Sequence, residues 1–137
     1  MRTSHVYTIF CAIIVTCYCD SVEVSDGPEE ATMMKCAVEL GFGHDEIQRI
    51  KSSPIPDETN ENERCLMKCI GRKMKYLTSE DIVDVHHLLE LSGEMIEKEG
   101  YTKSEMRQML VECTKKTGTE KCMTAFKNLR CLMNAFK

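Results

Sequence analysis

The sequence lacks several features that would point to common classes of partner. It has no tryptophan, no block of basic residues, no internal repeat and no low-complexity tract, and its formal net charge is −4. A mildly acidic chain without a basic patch is a poor match for nucleic acid or for an anionic membrane surface. Its apolar runs are shorter than the roughly 20 residues that a membrane-spanning helix needs, so no stable membrane insertion is expected. The remaining composition, 42% apolar and 29% charged over 137 residues, is typical of one globular domain.

Cysteine, in contrast, is abundant. The chain has nine cysteines, and this density is typical of an oxidising compartment and of a fold stapled by disulfides. The N-terminus supports that interpretation, because a short basic segment precedes the mostly apolar run Val6 to Val15. We therefore predict that residues 1–19 are a secretory signal peptide cleaved after Cys19, and that residues 20–137 form a soluble secreted domain. Six cysteines, an even number, remain after this cleavage.

The secreted domain contains repeated helix signals and no clear strand signals. Apolar residues recur at helical spacing in about six segments, which are separated by glycine, proline or capping residues. Thr78 and Asp81 resemble a capping box that opens the fourth helix. Thr102 and Glu105 resemble another box that opens the fifth, and the last helix is expected to start near Thr119. The predicted fold class is all-α, a compact bundle of about six short helices.

No cluster of residues requires a metal or a cofactor. Several acidic side chains surround the start of the third helix and are typical of a solvated N-terminal turn favoured by the helix dipole. They are Asp57, Glu58, Glu61 and Glu63. The closest pair of cysteines in the secreted domain is separated by three residues instead of the two of a zinc knuckle, and no histidine lies near the others. We therefore predict no metal site and no cofactor.

The remaining cysteines restrict how the helices can be joined. They are Cys36, Cys65, Cys69, Cys113, Cys122 and Cys131. Because Cys65 and Cys69 project from one face of the same helix, each should bond to a different neighbour. Cys122 and Cys131 lie about half a revolution out of phase, so the last helix should be stapled on two sides. These conditions reduce the number of possible disulfide pairings, but sequence spacing alone does not select one of them.

The cysteine spacing resembles that of a known family. The pattern Cys36-x28-Cys65-x3-Cys69-x43-Cys113-x8-Cys122-x8-Cys131 follows a signal peptide, as in the six-cysteine insect odorant-binding proteins, which include the pheromone-binding proteins. The x3 gap and the last x8 gap are the most specific parts of the match. The resemblance implies six helices around an apolar cavity, with interlocked disulfides Cys36–Cys69, Cys65–Cys122 and Cys113–Cys131. Such proteins are not enzymes. They carry hydrophobic odorants or pheromones through aqueous sensillar lymph to olfactory receptors.

The apolar faces of the fourth to sixth helices are the best candidates for the wall of such a cavity. Helical spacing places on these faces Val85, Leu88, Leu89, Met106, Met109, Leu110, Phe126, Leu129, Met133 and Phe136. His86 and His87 point about 100° apart, so both cannot face the core, and an inward histidine would weaken ligand binding on protonation near pH ~6.5. The spacing does not select a polar group that orients the ligand, and the candidates are Tyr76, Tyr101, Thr114 and Asn134.

Other classes of function fit the sequence less well. A secreted phospholipase A2 would use a pair such as His44-Asp45, but the paired cysteines before that histidine and the Gly-rich calcium loop are missing. An interaction protein without a cavity would instead expose an apolar patch. Relatives of the same fold also carry lipids, amines or pheromones in haemolymph, saliva or reproductive secretions, and the sequence does not separate these roles from olfaction. In each case we expect a monomer or a weak homodimer.

Overall fold

Six α-helices follow one another in the computed structural model, which describes residues 28–52 and 56–135, with the backbone alone at residue 28 and residues 94–96. They are α1 Pro28–Glu39, α2 His44–Ser52, α3 Glu61–Lys73, α4 Val85–Lys98, α5 Lys103–Thr114 and α6 Met123–Ala135. Within these ranges the only extended pairing is an isolated β-bridge between Leu77 and Val83. The predicted all-α class and the number of helices are therefore confirmed.

Capping residues explain where two of the helices begin. Asn60 precedes α3, and its side-chain oxygen accepts a hydrogen bond from the Glu63 backbone N–H at 3.2 Å. Thr102 precedes α5, where its hydroxyl accepts from the Glu105 N–H at 3.1 Å and the Glu105 carboxylate accepts from the Thr102 N–H at 2.8 Å. These contacts satisfy N–H groups that have no partner inside the helix. The capping box predicted at Thr102 is thus confirmed.

The capping box predicted at Thr78 and Asp81 is wrong. α4 begins later, at Val85, and the carboxylate of Asp84 accepts the His87 backbone N–H at 3.1 Å. Thr78 and Asp81 lie instead in a turn, where Asp81 has a φ of 66°. This left-handed conformation cannot continue into a right-handed helix. The sequence pattern of a cap was present, but the backbone at Asp81 belongs to a different local structure.

The start of α6 also differs from the prediction. The helix begins at Met123 and not near Thr119, because Cys122 has a φ of 61° and interrupts the helical path just before it. Cys122 is disulfide-bonded to Cys65 on α3. The residue that delays α6 is therefore the same residue that fixes the start of this helix to α3.

Three disulfides, with S–S distances of 2.07–2.08 Å, join four of the helices. They are Cys36–Cys69 (α1 to α3), Cys65–Cys122 (α3 to the residue before α6) and Cys113–Cys131 (α5 to α6). The pairing implied by the family resemblance is confirmed. α2 and α4 contain no cysteine, so they are positioned by noncovalent contacts.

The helices enclose one apolar core. α3 packs against α1 and α6, while α5 packs against α4 and α6. Gly71 allows the close approach of α3 to α6, because a Cβ atom built on it would lie 2.8 Å from the Leu77 side chain and 2.9 Å from that of Leu129. Both distances are shorter than van der Waals contact. A larger residue at Gly71 would force these helices apart.

Two buried charged residues near the start of α3 tie the neighbouring segments to it. The Glu63 side chain is only 3% exposed, and its carboxylate accepts hydrogen bonds from Arg49 of α2 at 2.9 Å and from the Asp57 backbone N–H at 2.8 Å. Arg64 is also buried and donates to the carbonyl of Lys121, ahead of α6, at 3.1 Å. The prediction that Glu63 belongs to a solvated turn is therefore wrong. Partners from other segments compensate for its burial.

Candidate ligand-binding site

The predicted pocket-wall residues on α4, α5 and α6 come together in the interior. Those that are buried in the core cluster are Leu88, Leu89, Met106, Leu110, Phe126 and Leu129. Those that are partly buried and packed against the same cluster are Val85, Met109 and Met133. Phe136 lies outside the residues that the structure describes. Helical periodicity thus identified inward faces on all three helices, and the contact of these residues with a ligand stays a prediction.

A separate open groove of about 680 Å³ runs along α5 and α6. Its lining residues are Met109, Glu112, Cys113, Lys116, Lys127, Arg130, Cys131, Asn134 and Ala135. Met109 is the one predicted wall residue among them. The groove therefore borders the core cluster at Met109, but most of its charged lining belongs to positions that the sequence analysis did not select.

Most charged side chains of this groove have partners, and the Lys127 ammonium donates to the Thr117 backbone carbonyl at 3.2 Å. Arg130 lies 2.6 Å from a Glu58 carboxylate oxygen and 5.4 Å above the centre of the Phe126 ring. Glu112 accepts a hydrogen bond from Lys115 at 2.7 Å, and this contact holds the pKa of Glu112 below its ordinary value. A hydrophobic ligand in the groove would remain against ionised groups and water. Because small-molecule sites usually bury roughly 70–90% of the ligand surface, the interior cluster is the better candidate.

A fully buried asparagine connects the region ahead of α4 to α6. The Asn128 side-chain oxygen accepts the Val83 backbone N–H at 3.0 Å, and its amide donates to the carbonyls of Lys116 at 2.7 Å and Thr124 at 3.0 Å. Asn128 therefore positions the entry of α4 over α6. Asn128 was not among the predicted site residues, although its spacing from Ala125 places it on the inward face of α6.

The two adjacent histidines occupy different environments. The His86 side chain is 81% exposed, and its Nε2 atom lies 3.0 Å from the Glu90 carboxylate one turn later. His87 is partly buried. The difference follows from their angular separation on α4. His86 therefore faces solvent, and a role for either histidine in pH-dependent binding stays a prediction.

The four polar residues predicted as candidates for orienting a ligand differ in their burial and in their hydrogen bonds. The Thr114 hydroxyl donates to a backbone carbonyl of its own helix at 2.6 Å, and Asn134 is exposed on the groove. Tyr76 is buried and Tyr101 is partly buried against the core. The sequence analysis did not consider Ser92, which is 1% exposed. Its position one turn after the buried leucines of α4 is the signal that could have identified it.

The fold is that of a small all-α protein with an apolar core, stapled by disulfides. The model of the PBP/GOBP family matches residues 13–135, and the chain belongs to this family of pheromone-binding and general odorant-binding proteins. The family resemblance in the cysteine pattern is thereby confirmed. No curated protein sequence matches the chain significantly.

Family membership indicates the general class of activity. Proteins of this family are small carriers that bind hydrophobic odorants or pheromones, and they are not enzymes. Disulfide-rich members are typically secreted. Among the helices of residues 28–52 and 56–135, none is both long and apolar enough to cross a membrane. The predicted signal peptide lies outside the described residues.

Proposed function

We propose that the protein binds small odorants or pheromones between α4, α5 and α6 and carries them through aqueous sensillar lymph to olfactory receptors. Membership of the PBP/GOBP family is the observation that carries this proposal. The joint burial of the predicted wall residues supports this location for the ligand. Secretion after removal of residues 1–19 is part of the same proposal. Burial of an apolar ligand among these side chains would supply about 25 cal/mol per Å² of apolar surface removed from water.

The chemistry of the cluster favours a range of ligand shapes. Met106, Met109 and Met133 contribute unbranched, polarisable side chains that can change conformation at low cost. α4 contributes Leu88 and Leu89 but has no covalent bond to the other helices. We infer that α4 moves outward to admit the ligand, while the disulfides keep α5 and α6 together. The stability that the disulfides contribute would offset the packing energy that is lost when the cluster opens.

The experiment that tests the proposal is titration of the oxidised protein with an environment-sensitive apolar dye. Little intrinsic emission interferes, because the chain has no tryptophan. We expect saturable, stoichiometric uptake, and displacement of the dye by volatile alcohols, esters or aldehydes. Absence of uptake at both neutral and acidic pH would contradict the carrier proposal and would favour a cavity-free interaction protein.

Three phenylalanine substitutions locate the binding site. Leu110 is buried in the cluster, Val111 is its exposed neighbour on α5, and Asn134 lines the open groove. Leu110→Phe should weaken dye binding about tenfold by filling the interior, whereas Val111→Phe and Asn134→Phe should leave it unchanged. Circular dichroism checks that each variant is folded. If only Asn134→Phe lost dye binding, the result would indicate that the ligand binds in the open groove and not in the interior cluster.

The olfactory role and the oligomeric state require separate measurements. Detection of the protein in chemosensory tissue, and a larger receptor response to the ligand in its presence, would support delivery to olfactory receptors. Expression confined to haemolymph, saliva or a reproductive gland would favour the non-olfactory carrier. Sedimentation should give a monomer or a weak homodimer, and a tight oligomer would contradict that part of the proposal.

A further inference from the structure

One polar group on the inward face of α4 has no hydrogen-bond partner among the residues that the structure describes. Ser92 is 1% exposed, and its hydroxyl makes no hydrogen bond within the part of the chain that the structure describes. It follows Val85, Leu88 and Leu89 at helical spacing, so it shares their face of α4. This face packs into the apolar cluster. The Ser92 hydroxyl is therefore buried, and its neighbours on the same face of α4 are apolar side chains.

The other buried polar side chains in the described part of the chain are satisfied. Glu63, Arg64 and Asn128 each hydrogen-bond to groups from other segments. A hydroxyl buried without a partner destabilises the folded state, and alanine at the same helical position would avoid this cost and favour the helix. Ser92 is thus unfavourable for stability alone, and a bound molecule with a hydrogen-bonding oxygen would supply the missing partner.

We propose that the Ser92 hydroxyl is the hydrogen-bonding group of the ligand site, and that the favoured ligands are hydrophobic molecules with an oxygen atom. An aldehyde, ketone or ester would accept a hydrogen bond from Ser92, and an alcohol could donate or accept. A plain hydrocarbon would leave the hydroxyl unpaired. This inference rests on the proposed function and specifies its ligand class. Leu88 and Leu89 would pack against the hydrocarbon part of the same ligand.

The test compares a ketone with the alkane of the same carbon number, each displacing the apolar dye from the oxidised protein. Ser92→Ala should weaken ketone binding about five- to tenfold and leave alkane binding unchanged. The melting temperature of the free variant should not fall, because the substitution removes an unpaired hydroxyl. Ser104→Ala, at an exposed position of α5, is the matched control and should change neither affinity.

A spectroscopic measurement gives an independent outcome. In the wild-type complex the carbonyl stretch of the bound ketone should lie at lower frequency than in the Ser92→Ala complex, because a hydrogen bond weakens the C=O bond. Equal ketone affinity and equal stretch in both proteins would overturn the assignment of Ser92 while leaving the carrier function intact. Failure of the wild type to bind dye, ketone and alkane would overturn the carrier function and this inference together.

Discussion

α3 and α4 are helices of similar length that both pack into the core, yet they are held in different ways. α3 has 13 residues and takes part in two disulfides, through Cys65 and Cys69. Its buried Glu63 and Arg64 also bind groups from α2 and from the segments ahead of α3 and α6. α4 has 14 residues and no cysteine, and among its described side chains the buried ones are two leucines and Ser92.

This contrast separates a rigid part of the fold from a part that could open for a ligand. Disulfides and buried paired charges fix α3 relative to α1, α2 and α6. Beyond its entry beside Asn128, α4 is held by contacts between apolar side chains, which are non-directional and can re-form around a guest molecule. Local opening should therefore be easier at α4 than at α3, since the free energy of opening varies along a folded chain.

Removal of the disulfide that joins α3 to the start of α6 should cause the largest loss of stability. Replacing Cys65 and Cys122 with alanine opens a loop with a sequence separation of 57, which predicts a loss of about 4 kcal/mol from chain entropy. Replacing Cys113 and Cys131, with a separation of 18, predicts about 3 kcal/mol. Each pair has one buried and one partly buried cysteine. Urea unfolding measures both, and a larger loss for the second pair would contradict the central role of α3.

Matched leucine deletions compare the two helices directly. Leu66 on α3 is 2% exposed and Leu88 on α4 is 1% exposed. Leu66→Ala should cost about 4 kcal/mol because the stapled helix cannot move into the gap, whereas Leu88→Ala should cost about 2–3 kcal/mol because α4 can. Urea unfolding gives both values, and dye binding should persist in Leu88→Ala. An equal or greater cost at Leu88 would show that α4 is as constrained as α3.

The features that sequence predicted correctly depend on local spacing. Helical periodicity gave the number of helices and their inward faces, and Thr102 and Glu105 gave one helix start, because residues three or four apart on a helix are neighbours. The disulfide pairing came from the resemblance of the whole cysteine pattern. The same local rule failed at Thr78 and Asp81, where a turn stabilised by other contacts replaces the cap.

The features that sequence missed depend on contacts between distant segments. Glu63 is buried because Arg49 and the Asp57 N–H reach it. Asn128 is buried because three backbone groups meet its amide. In the sequence each is a polar residue close to an apolar stripe, and only the tertiary structure decides whether a partner is available. Ser92 follows the same pattern, except that no protein partner is found for it among the described residues.

The buried charge on α3 can be tested against an exposed one on the same helix. Glu63→Ala removes the acceptor of the Arg49 guanidinium and of the Asp57 N–H, so it should cost about 2 kcal/mol. Glu61 forms an exposed ion pair with Lys121 at 3.1 Å, and Glu61→Ala should cost under about 0.5 kcal/mol. Chemical denaturation at neutral pH measures the two variants. Equal losses would mean that the Glu63 contacts do not help to fix α3.

The smallest effect concerns an exposed carboxylate in the segment ahead of α3. Asp57 accepts hydrogen bonds from the Thr59 hydroxyl at 2.7 Å and the Thr59 backbone N–H at 2.9 Å, and these hold its pKa below the ordinary value of 3.8. Because the folded-state pKa is depressed, the stabilising contribution is complete well above pH 3.8 and is lost only as the pH falls through the lower folded-state value. Thr59→Val should raise the pKa of Asp57 towards 3.8, as followed by NMR of the carboxyl carbon. An unchanged pKa would show that the Thr59 hydroxyl does not stabilise the charged form. The expected rise would support an Asp57 that stays ionised between pH 7 and 5 in the wild type, so that any change in ligand binding over this range would arise at other groups.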